Sequence, residues 1–78
     1  MGIPAETIRR RLLAMQASDC IPCDGRRNCK VVVRDGVNQE QRAEFDGWVV
    51  AHRGRLWPDE ESGLVYYEIP LAELYAGE

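Results

Sequence analysis

Residues 42–52, RAEFDGWVVAH, constrain this chain more than any other stretch. Ala43, Phe45, Gly47, Val49 and Ala51 share one parity, and Arg42, Glu44 and Asp46 share the other. Successive side chains of a strand point to opposite faces, so this alternation suits a half-buried β-strand. After Gly47 the second parity turns apolar as well, with Trp48, Val50 and His52. A glycine at such a changeover suits a bulge or bend. The competing pattern is a helix over QEQRAEFDGWVVAH with Ala43, Phe45 and Trp48 on one face. Gly47 and the Val49-Val50 pair are poor helix formers, so the sequence favours a long strand bent in its middle.

The rest of the chain arranges itself around that spine. Residues 4–17, PAETIRRRLLAMQA, read as an amphipathic helix: Pro4 suits a first helical position, and Glu6 the positive end of the dipole. Ala5, Ile8, Leu12 and Met15 form its apolar stripe, widened by Leu13. Residues 18–28, SDCIPCDGRRN, carry the turn formers Pro22, Asp24-Gly25 and Asn28 and read as a cysteine-containing loop. A strand over 29–34, CKVVVR, leads to Asp35-Gly36, a strong hairpin signal. After the bent strand come the loop 53–63, with Arg55-Leu56-Trp57 as a short strand before Pro58, and the alternating strand 64–69, LVYYEI. The LAELY stretch then gives a last strand or a 3₁₀ turn. The expected fold is mainly β with one N-terminal helix: a single domain over 1–78, with a small, strongly bent, SH3-like barrel over 29–74.

Seventy-eight residues hold one domain with a modest core. A hydrophobic fraction of 45% argues against wholesale disorder. The apolar runs are too short for a bilayer span, and Arg9, Arg10 and Arg11 interrupt any signal-like segment, so a cytoplasmic location is expected. Charge is unevenly spread. Residues 1–36 carry seven basic and four acidic residues, a balance of +3, whereas 37–78 carry three and nine, a balance of −6. An acidic whole weighs against a dedicated duplex-DNA or membrane binder.

Cys20, Cys23 and Cys29 form a C-x2-C-x5-C series, with His52 the sole histidine. A structural zinc site wants four ligands, usually as two close pairs. Here only one close pair is present, and zinc held by Cys20, Cys23, Cys29 and His52 is the secondary expectation behind no cofactor at all. Turn residues around the C-x-x-C argue against a redox motif, which opens a helix after a strand. Catalytic equipment is sparse: one histidine, no nucleophile elbow and no phosphate loop. The acidic pair Glu44 and Asp46 and the run Asp59-Glu60-Glu61 read as solvated faces, so no enzyme is expected.

The order of helix, loop, strand, Asp35-Gly36 turn, Phe45-Asp46 followed by Trp48-Val49-Val50, and a strand bearing Val65-Tyr66 resembles the Sm-like fold, in particular the bacterial Hfq-type proteins. That likeness implies an N-terminal helix followed by a five-stranded bent barrel, edge-to-edge homo-oligomers and RNA binding. Where the Hfq-type proteins place Tyr-Lys-His for uridine, this chain has Tyr66-Tyr67-Glu68. Its acidic character also resembles the Rof-type inhibitors of the transcription terminator Rho, which implies contact with a protein surface. The expected function is a non-enzymatic, regulatory binding module with a protein partner, contacted through Trp48, Trp57 and Tyr66. The alternative is an RNA contact through the basic cluster Arg9, Arg10, Arg26 and Arg27.

Overall fold

A computed structural model of the chain describes residues 2–15, 29–58 and 60–76. The expected loop over 18–28, with Cys20, Cys23, Arg26 and Arg27, lies outside the described residues. Helix α1 spans Ala5–Ala14 and buries Ile8, Arg9 and Leu12. Strand β1 spans Cys29–Val33. Two 3₁₀ turns, Arg34–Gly36 and Gln39–Gln41, lead into helix α2, Arg42–Ala51. Strands β2, Arg55–Pro58, and β3, Val65–Pro70, follow, and a single turn of helix, α3, runs from Leu71 to Leu74. The described residues are 49% helical and 25% strand, so the mainly-β expectation gives way to a mixed fold.

The decisive correction concerns residues 42–52. This segment is helical, and its buried residues Phe45, Trp48 and Val49 fall at i, i+3 and i+4. Ala43, Gly47 and Ala51, which completed the strand-like alternation, are all exposed and lie four residues apart along the outer side of the helix. Small residues on a solvated helix face had mimicked an inward parity. Asn38 starts the approach by accepting the amide of Glu40 at 2.9 Å, an N-cap interaction that satisfies one of the donors orphaned at a helical start. Asp35-Gly36 accordingly turns the chain into a helix and not into a paired strand.

The helix ends abruptly. Arg53 takes a left-handed conformation, with φ 65°, and Gly54 donates to the Val49 carbonyl at 2.7 Å. A side chain at Gly54 would meet Val49 Cγ1 at 2.5 Å and the Glu68 carbonyl at 2.8 Å, so the chain can pass close to β3 only with glycine there.

The sheet is open, antiparallel and three-stranded, in the order β1-β3-β2, in place of a closed barrel. Lys30, Val32, Leu56, Tyr67 and Ile69 occupy one face by register, and Cys29, Val31, Val33, Arg55, Trp57, Tyr66, Glu68 and Pro70 the other. Ile8 and Leu12 of α1, Phe45, Trp48 and Val49 of α2, Leu74 of α3 and Val37 form one core with Val32, Tyr67 and Ile69. All three helices therefore bury their apolar residues against the first face of the sheet.

Candidate interaction surface

The sheet face opposite this core is built by register alone. Trp57 pairs directly with Tyr66 across β2 and β3, and Val33 flanks Tyr66 from β1. The next same-face row is Arg55, Glu68 and Val31. Directly opposed residues on one face of an antiparallel pair have their Cβ atoms roughly 5 Å apart, so Trp57 and Tyr66 are immediate neighbours. Trp57 is 38% exposed, Tyr66 half-buried and Glu68 only 5% exposed. One Glu68 carboxylate oxygen, Oε2, is buried and accepts no hydrogen bond. β2 is an edge strand whose four residues are all exposed. The hairpin that joins it to β3 carries exposed Glu60 and Glu61.

Among the residues expected to contact a partner, Trp57 and Tyr66 are brought together. Trp48 is not with them: it is 7% exposed and belongs to the core. Its ring stacks on His52 at 4.0 Å between centroids and an interplanar angle of 16°. The Trp48 carbonyl lies 2.8 Å from His52 Nδ1. A carbonyl can only accept, so Nδ1 carries the proton in this contact. His52 thus finishes α2 with local partners. Cys29 is buried on the far sheet face, and among the described residues no cluster of histidine, cysteine or carboxylate side chains is placed to hold a metal.

Of the basic cluster, Arg9 and Arg10 are described and both have partners within the fold. Arg9 is buried; it donates to the Leu74 carbonyl at the end of α3 at 2.5 Å and to Glu6 Oε1 at 2.6 Å. Arg10 is exposed and donates to the same Glu6 at 3.1 Å. The hydrogen bond from Arg9, with help from Arg10, holds the Glu6 carboxyl below its usual range. Arg11 donates to Gln41 at 2.7 Å and lies over the Phe45 ring, 5.2 Å from its centroid. Its aliphatic stem and charge thereby join α1 to the start of α2.

A third polar cluster joins the core side of the sheet to α2. Arg34 grips Asp46 through two hydrogen bonds, at 3.1 and 2.8 Å, and the Tyr67 hydroxyl donates to Asp46 Oδ1 at 2.5 Å. Burial of the Tyr67 ring, with the Asp46 carboxylate against its hydroxyl, pushes that phenol well above the usual range. The Asp46 hydrogen bonds raise Arg34 further still. Lys30 reaches from β1 to the Leu13 carbonyl near the end of α1, and burial lowers its pKa. Each of these groups has partners within the fold, and their arrangement is that of braces between elements.

Comparison with known protein families, with curated proteins and with solved structures finds no match. Phe45-Asp46 and Trp48-Val49-Val50, which carry much of the Sm-like resemblance, stand on α2. Among the described residues no helix is long and apolar enough to cross a membrane.

Proposed function

We propose that this chain is a small regulatory binding module that contacts a protein partner through the sheet face bearing Trp57 and Tyr66. The observation that supports this most is the placement of these two aromatics as a directly opposed pair on the face turned away from the core, with Trp57 open to solvent. Aromatic residues dominate contact energy because they remove a large rigid surface from water at little entropic cost. An exposed edge strand beside them adds main-chain groups that a partner segment can meet. The resemblance to acidic Rof-type proteins points the same way. The alternative of RNA binding has less support, since Arg9 and Arg10 are engaged with Glu6 and the end of α3.

Site-specific photo-crosslinking tests this reading. A benzophenone side chain at position 57, installed in the natural host, is expected to trap a discrete protein adduct. The same group at Ala43, on the exposed side of α2, is expected to trap none. Adducts of equal yield from both positions, or RNA adducts alone, would overturn the proposal.

A further inference from the structure

The unpartnered carboxylate oxygen of Glu68 distinguishes this face from an ordinary aromatic patch. A buried acceptor without a donor costs free energy in the isolated fold, and it recovers that cost when a partner brings the donor. Glu68 lies on β3 two residues from Tyr66 and on the same face, so the carboxylate and the Trp57–Tyr66 pair form one continuous site. The flat face of tryptophan or tyrosine attracts a cation, more strongly where water is displaced. Close to the face, exposed Glu60 and Glu61 in the β2–β3 hairpin and Glu68 outnumber Arg55, a local excess of negative charge. Arg55 faces Glu68 from β2 and Val31 faces it from β1, and Glu68 is 5% exposed, so a donor reaches Oε2 only by opening this row next to the exposed Trp57.

From this combination we infer that Trp57, Tyr66 and Glu68 seat a lysine or arginine side chain presented by a basic peptide segment of the partner. The inference rests on the proposed contact face and adds the chemistry of what binds there. The cation lies against the aromatic pair, and its N–H donors supply the hydrogen bond that Glu68 Oε2 lacks. Glu60 and Glu61 add attraction at longer range, which salt screens.

The test uses the full chain, labelled with ¹⁵N, and a capped peptide Lys-Gly-Arg-Gly-Lys. Its neutral counterpart has both lysines acetylated and citrulline in place of arginine. The indole N–H signal of Trp57, assigned by its loss in Trp57→Phe, is expected to shift saturably with the cationic peptide and not with the neutral one. The Trp48 signal is expected to stay in place. Glu68→Gln and Trp57→Ala are each expected to weaken binding about fivefold, the ratio that matches a cation–aromatic contact of about 1 kcal/mol. Glu40→Gln removes the same unit of charge at an exposed residue of a 3₁₀ turn and is expected to change affinity far less.

Equal weakening by Glu40→Gln and Glu68→Gln would reduce the effect to net charge and overturn the inference. So would equal binding of the neutral peptide, or a Trp57 signal that never moves. Thermal melting confirms that Glu68→Gln folds, and Trp57→Ala carries the test if it does not. A partner adduct at position 57 whose yield is unchanged by Glu68→Gln would leave the contact face standing and remove the cation seat. Loss of every adduct at position 57 would remove both.

Discussion

Tyr67 shows how much one hydroxyl can hold together in so small a chain. Its ring is fully buried between β1, β2 and the helices, and its oxygen meets Asp46, which Arg34 grips from the end of β1. Tyr67→Phe removes the donor while leaving Asp46 with both Arg34 hydrogen bonds, so the expected loss is about 1–2 kcal/mol, read from denaturant unfolding. The pH dependence has a definite sign. The folded pKa of Tyr67 is raised, so the folded chain keeps a proton that the unfolded chain releases above roughly pH 10, the ordinary phenol value. Its contribution is therefore complete below that pH and is lost as pH rises further. Lys30, with a lowered folded pKa, works in the opposite sense in the same alkaline range. Phenolate absorbance is expected to show the Tyr67 component only as the fold is lost, and Tyr67→Phe is expected to delete that component alone. At this scale the sequence was only partly legible. The pattern offers Trp48, Trp57 and Tyr66 alike as outward aromatics although Trp48 is core, and it gives no sign that Arg9 is a buried cap of α3, because its partner lies 65 residues away.

At the scale of elements, α2 was misread and its neighbours were not. The helix at 5–14 and the strands at 29–33, 55–58 and 65–70 lie within a few residues of where local pattern puts them, whereas Asp35-Gly36, expected as a hairpin, is a 3₁₀ turn on the way to α2. In α2, the period-2 and period-3.6 readings shared Phe45 and Val49, and Ala43, Gly47 and Ala51 fitted either one. What separated them was Asn38 as a cap, followed by the helix formers Gln39, Glu40 and Gln41, a start signal read as the tail of a turn. The last segment, expected as a strand or a 3₁₀ turn, is instead one turn of α-helix after Pro70, at its Ncap. Two glycines, one inside α2 and one just after it, give a paired prediction. Gly47 is exposed inside α2 with open space around a Cβ, so Gly47→Ala is expected to stabilise by about 0.5–1 kcal/mol. Gly54 has no such room, and Gly54→Ala is expected to destabilise by about 1–3 kcal/mol, since backbone of β3 and α2 would have to give way. Melting curves of the two variants decide the matter, and a stabilising Gly54→Ala would show that the α2–β2 junction is looser than described.

For the molecule as a whole, one asymmetry matters most: a three-stranded sheet whose helices all pack on one side. That arrangement assigns opposite duties to the two tryptophans, which a sequence cannot distinguish because both sit among apolar and turn residues. Trp48 fills the core between α2 and the sheet, whereas Trp57 lies on the edge strand and faces away. Trp48→Ala would leave a cavity that 78 residues have little means to close, at an expected cost of about 3–5 kcal/mol. Small domains have total stabilities of about 5–15 kcal/mol, so this variant is expected to be largely unfolded at moderate temperature. Trp57 is 38% exposed, so Trp57→Ala gives up a part-buried ring at the sheet edge and is expected to cost about 1–2 kcal/mol, well below Trp48→Ala. If the partner needs the far face, the same substitution abolishes contact while the fold persists. Parallel measurement of melting and cross-linking in the two variants therefore separates the core from the exposed edge of the far face around Trp57. A Trp57→Ala variant that melts like Trp48→Ala would mean that the far face is a second core, and the proposed contact surface would go with it.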